Sequence, residues 1–177
     1  CIGDNLNTDI KGAMIQNFDS LLITGGIHRQ EISNFSIENV LKNYDAKIEI
    51  YGKDCVDSEM KAREVARQNE QVYVSPYNDL DVVAGQGTVG YEINNQCDGL
   101  DVIIVSVGGG GLIGGIASYL KSVWPSLHVI GCSPENSAVM IHSIKKGEIL
   151  DLESLPTLSD GTAGGIEKHS ITFPICK

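Results

Sequence analysis

Along this chain the spacing of apolar residues switches repeatedly between strand and helix periods, most sharply around residue 108. Asp101-Val-Ile-Ile-Val-Ser-Val107 is a continuous apolar run rich in β-branched residues, which predicts a parallel strand buried on both faces. Leu112 to Trp124 then carries Ile113, Ile116, Ala117 and Leu120 at helical spacing, which predicts a helix with one apolar stripe. Between them stand four consecutive glycines, Gly108 to Gly111.

The same alternation extends through the chain. Ser20–Thr24, Ala46–Tyr51, Gln71–Ser75 and Leu127–Cys132 predict further strands, and Ser36–Asn43, Asp54–Gln68, Val82–Gln96 and Asn136–Lys146 predict helices. In the helix after Asp54, either Asp54 or Asp57 can cap the start. Val56, Met60 and Ala66 share a face there, and Glu59 stands four residues before Arg63. The helix from Val82 contains Gly85, Gly87 and Gly90, each of which weakens it, so a neighbour packed very close is expected. Residues before Asn17 show no period and are expected to be mostly loop, as is the stretch after Gly147. Strands alternating with helices predict an α/β fold of parallel-sheet βα units with right-handed crossovers. Pro76–Asp81 is the expected boundary between two lobes, a small-lobe-like region over 1–80 and a large-lobe-like region over 81–177 that carries the glycine run.

Composition narrows the function. With 42% hydrophobic and 20% charged residues among 177, the chain can build an ordinary globular core. The net charge of −10 supplies no basic face for nucleic acid, although it does not oppose one phosphate held locally by backbone dipoles. Five widely spaced cysteines with no CxxC pair predict free thiols in a reducing compartment, hence the cytoplasm. No apolar run reaches membrane-spanning length, and both ends read as internal sequence.

Four residues without Cβ at a strand-to-helix turn let backbone N–H groups converge where a helix dipole begins, which is the chemistry of a phosphate cradle. Two ligands compete for it. Gly109-Gly-Gly-Leu-Ile-Gly114 satisfies the dinucleotide pattern, but that reading wants an acidic residue ending the next strand, where Ser133 stands. The other ligand is pyridoxal 5'-phosphate. Val82-Val-Ala-Gly-Gln-Gly-Thr88, Val105–Ile116, Pro134-Glu-Asn-Ser-Ala138 and Leu158-Ser-Asp-Gly-Thr-Ala163 occur in this order. Together they resemble the serine/threonine dehydratase and serine racemase family of fold-type-II pyridoxal-phosphate enzymes.

That resemblance implies that Gly108, Gly109, Gly110 and Gly111, with Leu112 adjoining, hold the cofactor phosphate. It implies an amino-acid substrate and β-elimination of water from L-serine or L-threonine, giving a 2-oxo acid and ammonia. The family attaches the cofactor aldehyde to the Lys of an S-F-K-x-R-G-A motif, whose counterpart here is Asp9-Ile-Lys-Gly-Ala13, making Lys11 the candidate catalytic residue. Thr24-Gly-Gly-Ile-His-Arg-Gln30 stands where the family has S-S-G-N-H-x-Q. Ile27 there replaces an Asn that bonds the cofactor, and Gly25 replaces the Ser that racemases use, which favours dehydration over racemisation. His28 is retained. One βα-sized unit of the small lobe is missing after Gln30. The family's cation ligands fall at Ser133 and Val139, so no metal is expected. A competing reading is a non-catalytic remnant that keeps the phosphate cradle, binding phosphate or pairing with another subunit; a homodimer stays open.

Overall fold

The computed structural model describes residues 2–3, 15, 21–22, 51–52 and 54–177. The chain divides into two units, Cys1–Val74 and Ser75–Lys177. In the first, β1 (Ile2–Gly3) pairs in parallel with β2 (Leu21–Leu22), so the segment expected to be loop contributes a strand. The helix expected over 36–43 and the strand expected over 46–51, apart from Tyr51, lie outside the described residues.

Helix α1 (Cys55–Gln68) occupies the span its periodicity predicts. Asp54 stands at the N-cap, but its side chain makes no capping hydrogen bond. The expected face is met only in part: Ala66 is buried and Val56 half-buried, but Met60 is 54% exposed and Glu59 is buried instead. Two cationic side chains of this helix lie along aromatic rings. The Arg63 guanidinium sits 4.6 Å from the centroid of Tyr73, and the Lys61 ammonium 5.6 Å from that of Tyr51. Residues 71–74 alternate like a strand yet form none. Gln71 donates its N–H back to the Ala66 carbonyl at 2.8 Å, and Val72 is 90% exposed. Alternation gives a strand only where a neighbouring strand takes up the backbone groups, and none does so among the described residues.

The second unit begins with a turn that sets the direction of helix α2 (Leu80–Gln96). Ser75 is buried, and its hydroxyl accepts the Asn78 N–H at 2.9 Å. Asp79 then caps α2, accepting from Asp81 N–H at 2.8 Å and Val82 N–H at 3.3 Å. Strand β3 (Val102–Ser106) leads through the glycine run into α3 (Gly111–Val123), and β4 (His128–Cys132) returns parallel to β3 with Val105 opposite Gly131. A single 3₁₀ turn, Glu135–Ser137, precedes α4 (Val139–Lys146), so the helix expected from Asn136 starts later. It ends where Gly147 takes φ +87°, the left-handed conformation that stops a helix. The tail after Gly147 is irregular except for a 3₁₀ turn at Asp160–Thr162 and a short helix α5 (Thr172–Cys176). No described helix is long and apolar enough to cross a membrane.

Helices α2 and α3 pack closely through their glycines. A Cβ on Gly87 would stand 3.2 Å from the Gly115 carbonyl oxygen, and one on Gly90 3.2 Å from that of Ile116. A Cβ on Gly115 would meet the Val83 carbonyl and stand 2.6 Å from the Gly87 nitrogen, so backbone touches backbone here. Gly85, which belongs to the same sequence pattern, faces open space. Beneath α3, Val105, Ile116, Leu120 and Leu127 form one buried cluster, and Tyr77, Val107, Val139, Met140 and Ile166 form another; Ile113 packs against both. Complete burial of Leu120 contributes about 2 kcal/mol. Strand β3 is covered on one face only: Val105 is buried, whereas Val102 and Ile104 are 47% and 68% exposed. Burial of both faces, expected from the apolar run, requires a second layer that the described residues do not supply.

Candidate functional site

The glycine run leaves the sheet at a firmly anchored point. Val107 donates its N–H to the Cys132 carbonyl at 2.8 Å, and Ser133 donates its hydroxyl to the Val107 carbonyl at 2.6 Å. Ser133 therefore ties β4 to the root of the loop. Val139, the other position compared above with a cation ligand, is buried in the core.

One side of the loop is packed against protein. A Cβ on Gly109 would fall into the Tyr77 ring, and one on Gly111 would stand 3.0 Å from Tyr77 Cα. On Gly108 it would stand 3.0 Å from the Thr162 carbonyl oxygen, and on Gly110 2.8 Å from Cys176 Sγ. Gly110 also has φ +88°, which any side chain would strain. Close packing thus disfavours a side chain at all four positions, most strongly at Gly109. Thr172, which is fully buried, donates its hydroxyl to the Gly109 carbonyl at 2.5 Å, and Cys176 Sγ lies 3.6 Å from the Gly110 carbonyl. Burial pushes the Cys176 thiol up from an ordinary 9.0 to about 11, which keeps its proton in place.

The N–H groups point to a ligand. Among the described residues, those of Gly108, Gly109 and Gly110 donate to nothing, although Gly110 is buried. The first bond of the helix runs from the Gly114 N–H to the Gly110 carbonyl at 2.9 Å, leaving the donors of Gly111 and Leu112 at the open end of α3. Left-handed Gly110 followed by helical Gly111 alternates backbone hand, the geometry of a nest whose successive N–H groups face one anion. A phosphate would satisfy several of these donors at once.

The loop is braced by residues that periodicity does not single out. The Tyr77 hydroxyl accepts the Glu167 N–H at 2.9 Å, and Asn78 Oδ1 accepts the Ile171 N–H at 2.9 Å, pinning the tail over the turn before α2. Their one sequence signal is the turn composition of Ser75-Pro-Tyr-Asn-Asp79. Ser137 of the 134–138 motif is buried and accepts the N–H of Gly164, the residue just after the motif at 158–163, at 3.0 Å. Gly108, Gly109, Gly110, Gly111 and Leu112 therefore stand together as one turn. Lys11, Gly25, Ile27 and His28 lie outside the described residues.

A parallel-sheet α/β unit with a glycine nest between strand and helix is a class of fold whose loop geometry suits an anion. Within that class the chain belongs to the pyridoxal-phosphate dependent enzyme family, whose model matches residues 34–177. It is 40% identical over 131 residues to the catabolic L-threonine dehydratase of Staphylococcus aureus strain N315, covering 74% of this chain and 38% of that protein. It is 36% identical over 143 residues to the biosynthetic L-threonine dehydratase of Halalkalibacterium halodurans, covering 74% of this chain and 34% of that protein. The chain thus spans little more than a third of the length of these relatives. Its fold matches threonine deaminase isoform 2 of Solanum lycopersicum with a TM-score of 0.73 at 27% identity, over 99% of this chain and 50% of that one. Maize serine racemase matches in fold with a TM-score of 0.71 at 24% identity, over 98% and 53% of the two chains. The fold is accordingly that of the fold-type-II enzymes, and the family's cofactor is pyridoxal phosphate. The free donors of the loop fit its phosphate group.

Proposed function

We propose that this chain forms the phosphate-binding part of a pyridoxal-phosphate-dependent dehydratase that eliminates water from L-serine or L-threonine. The observation that carries the reading is the nest at Gly110 and Gly111, with unpartnered N–H donors at the start of α3. The threonine dehydratases to which the chain is similar support the substrate class. When bound, the cofactor supplies an electron sink that acidifies the α-carbon of an amino acid. The chain's own part is to hold the phosphate through Gly108 to Gly111 and Leu112, and to offer Lys11 as the attachment and proton-transfer residue. The products are a 2-oxo acid and ammonia. Gly25, standing where racemases place a proton-carrying Ser, supports elimination over racemisation. Among the described residues no disulfide joins Cys55, Cys97, Cys132 or Cys176, which supports a reducing compartment such as the cytoplasm.

A specific observation favours a second reading, a chain that keeps the cradle without the chemistry. Ile27 replaces the Asn that bonds the ring oxygen, and the motif around Lys11 is altered. Titration of the purified chain with pyridoxal phosphate, followed by borohydride reduction and peptide mass mapping, separates the two. Under the dehydratase reading, Lys11 carries the label and ammonia is released from serine or threonine. Saturable binding with no labelled lysine and no ammonia selects the cradle-only reading, and absence of binding removes both.

A further inference from the structure

The loop binds through its N–H groups, so whatever fixes its carbonyl groups also fixes the direction of its donors. In a trans peptide, C=O and the next N–H point in opposite directions, and no cis peptide occurs among the described residues. We propose that Thr172 is a positioning residue for the phosphate cradle, locking the Gly109–Gly110 peptide so that the Gly110 N–H turns toward the anion. The inference rests on the reading that this loop holds the cofactor phosphate.

The proton inventory makes the lock directional. The Gly109 carbonyl can only accept, so the single hydroxyl proton of Thr172 is committed to it. The 2.6 Å contact between the Ser170 and Thr172 hydroxyls must then run from Ser170 to Thr172. Ser170 in turn accepts the Thr172 N–H at 3.3 Å. Ser170 is 4% exposed and Thr172 0%, so water does not compete for these bonds. The peptide plane is thus held from the tail side, and the Gly110 N–H is directed away from α5. The next plane is set independently, because the Gly110 carbonyl accepts from Gly114 and the Gly111 N–H faces out of the start of α3. Without Thr172, the left-handed residue between these planes would leave the Gly109–Gly110 peptide free to rotate. The Gly110 donor would then be lost to the anion, while the Gly111 donor stayed in place.

The test uses the full chain with Thr172→Val and Thr172→Ser. Binding of inorganic phosphate, pyridoxal phosphate and phosphate-free pyridoxal is measured by titration calorimetry, alongside circular dichroism and thermal unfolding. The expected result is that Thr172→Val weakens inorganic phosphate and pyridoxal phosphate about tenfold, the loss of one well-directed hydrogen bond. Binding of pyridoxal should not change, and Thr172→Ser should recover most of the phosphate affinity. A folded Thr172→Val protein that binds inorganic phosphate as the unmodified chain does overturns the proposal, as does equal weakening toward pyridoxal. Should Thr172→Val fail to fold, Thr172→Ser carries the decision: near-native phosphate affinity supports the lock, and loss in a folded serine variant refutes it. An unmodified chain that binds no phosphate removes the cradle reading itself, a failure visible before any variant is compared.

Discussion

Cys176 combines two roles that its chemistry makes compatible. It fills the space beside Gly110 that a Cβ would need, and its sulfur approaches the Gly110 carbonyl at 3.6 Å. Burial lifts its pKa from 9.0 to about 11, because a thiolate would have to leave water. The folded chain then binds a proton more tightly than the unfolded chain. The stabilisation is present in full below pH 9 and is lost as pH rises through about 11. We expect stability to fall over that window, and Cys176→Ala to flatten part of the fall in urea unfolding followed from pH 8 to 11. Cys55 is also pushed up, mainly by burial and then by Asp54, so some alkaline sensitivity should remain in the variant. An unchanged pH slope in Cys176→Ala would argue against a buried thiol at the loop.

At the scale of elements, the contact of α2 with α3 shows how a sequence pattern is divided by packing. Gly85, Gly87 and Gly90 look equivalent in the sequence, each costing helix stability relative to alanine. Gly87 and Gly90 lie against the backbone of α3, whereas a Cβ on Gly85 meets nothing within 4 Å. Gly85→Ala should therefore stabilise the protein by about 0.5–1 kcal/mol. Gly115→Ala, whose Cβ would meet the Val83 carbonyl, should destabilise it by about 1–3 kcal/mol through helix separation. Chemical denaturation of the two variants checks both signs, and a stabilising Gly115→Ala would contradict the packing described. The elements themselves were largely legible, since α1, α2, β3, α3 and β4 fall where periodicity places them. The parallel pairing of β3 with β4 agrees with the expected βα units, but cover was not legible: alternation at 71–74 and the apolar run at Val102–Ser106 record which residues could pair or be covered, not whether a neighbour arrives.

For the whole molecule, the contacts described above that support the glycine loop lie within the unit Ser75–Lys177: Tyr77, Asn78, Thr162, Ser170, Thr172 and Cys176 all belong to it. The preceding residues Val72 and Val74 are largely exposed, while Ser75 is buried. Limited proteolysis should cut near residues 71–74, and a chain of residues 75–177 should unfold cooperatively and still bind inorganic phosphate. A fragment that is unfolded by circular dichroism would show that the second unit depends on the first. The glycine run and the strand and helix flanking it were determined by sequence alone, because absent side chains and apolar period are local properties. Only tertiary structure decided why each glycine is required: Tyr77, Thr162 and Cys176 press on the loop from positions far along the chain. It likewise decided that a threonine near the C-terminal end meets the Gly109 carbonyl. Such contacts join residues separated by tens of positions, and no local pattern encodes them; they arise when burial brings two apolar clusters together around α3.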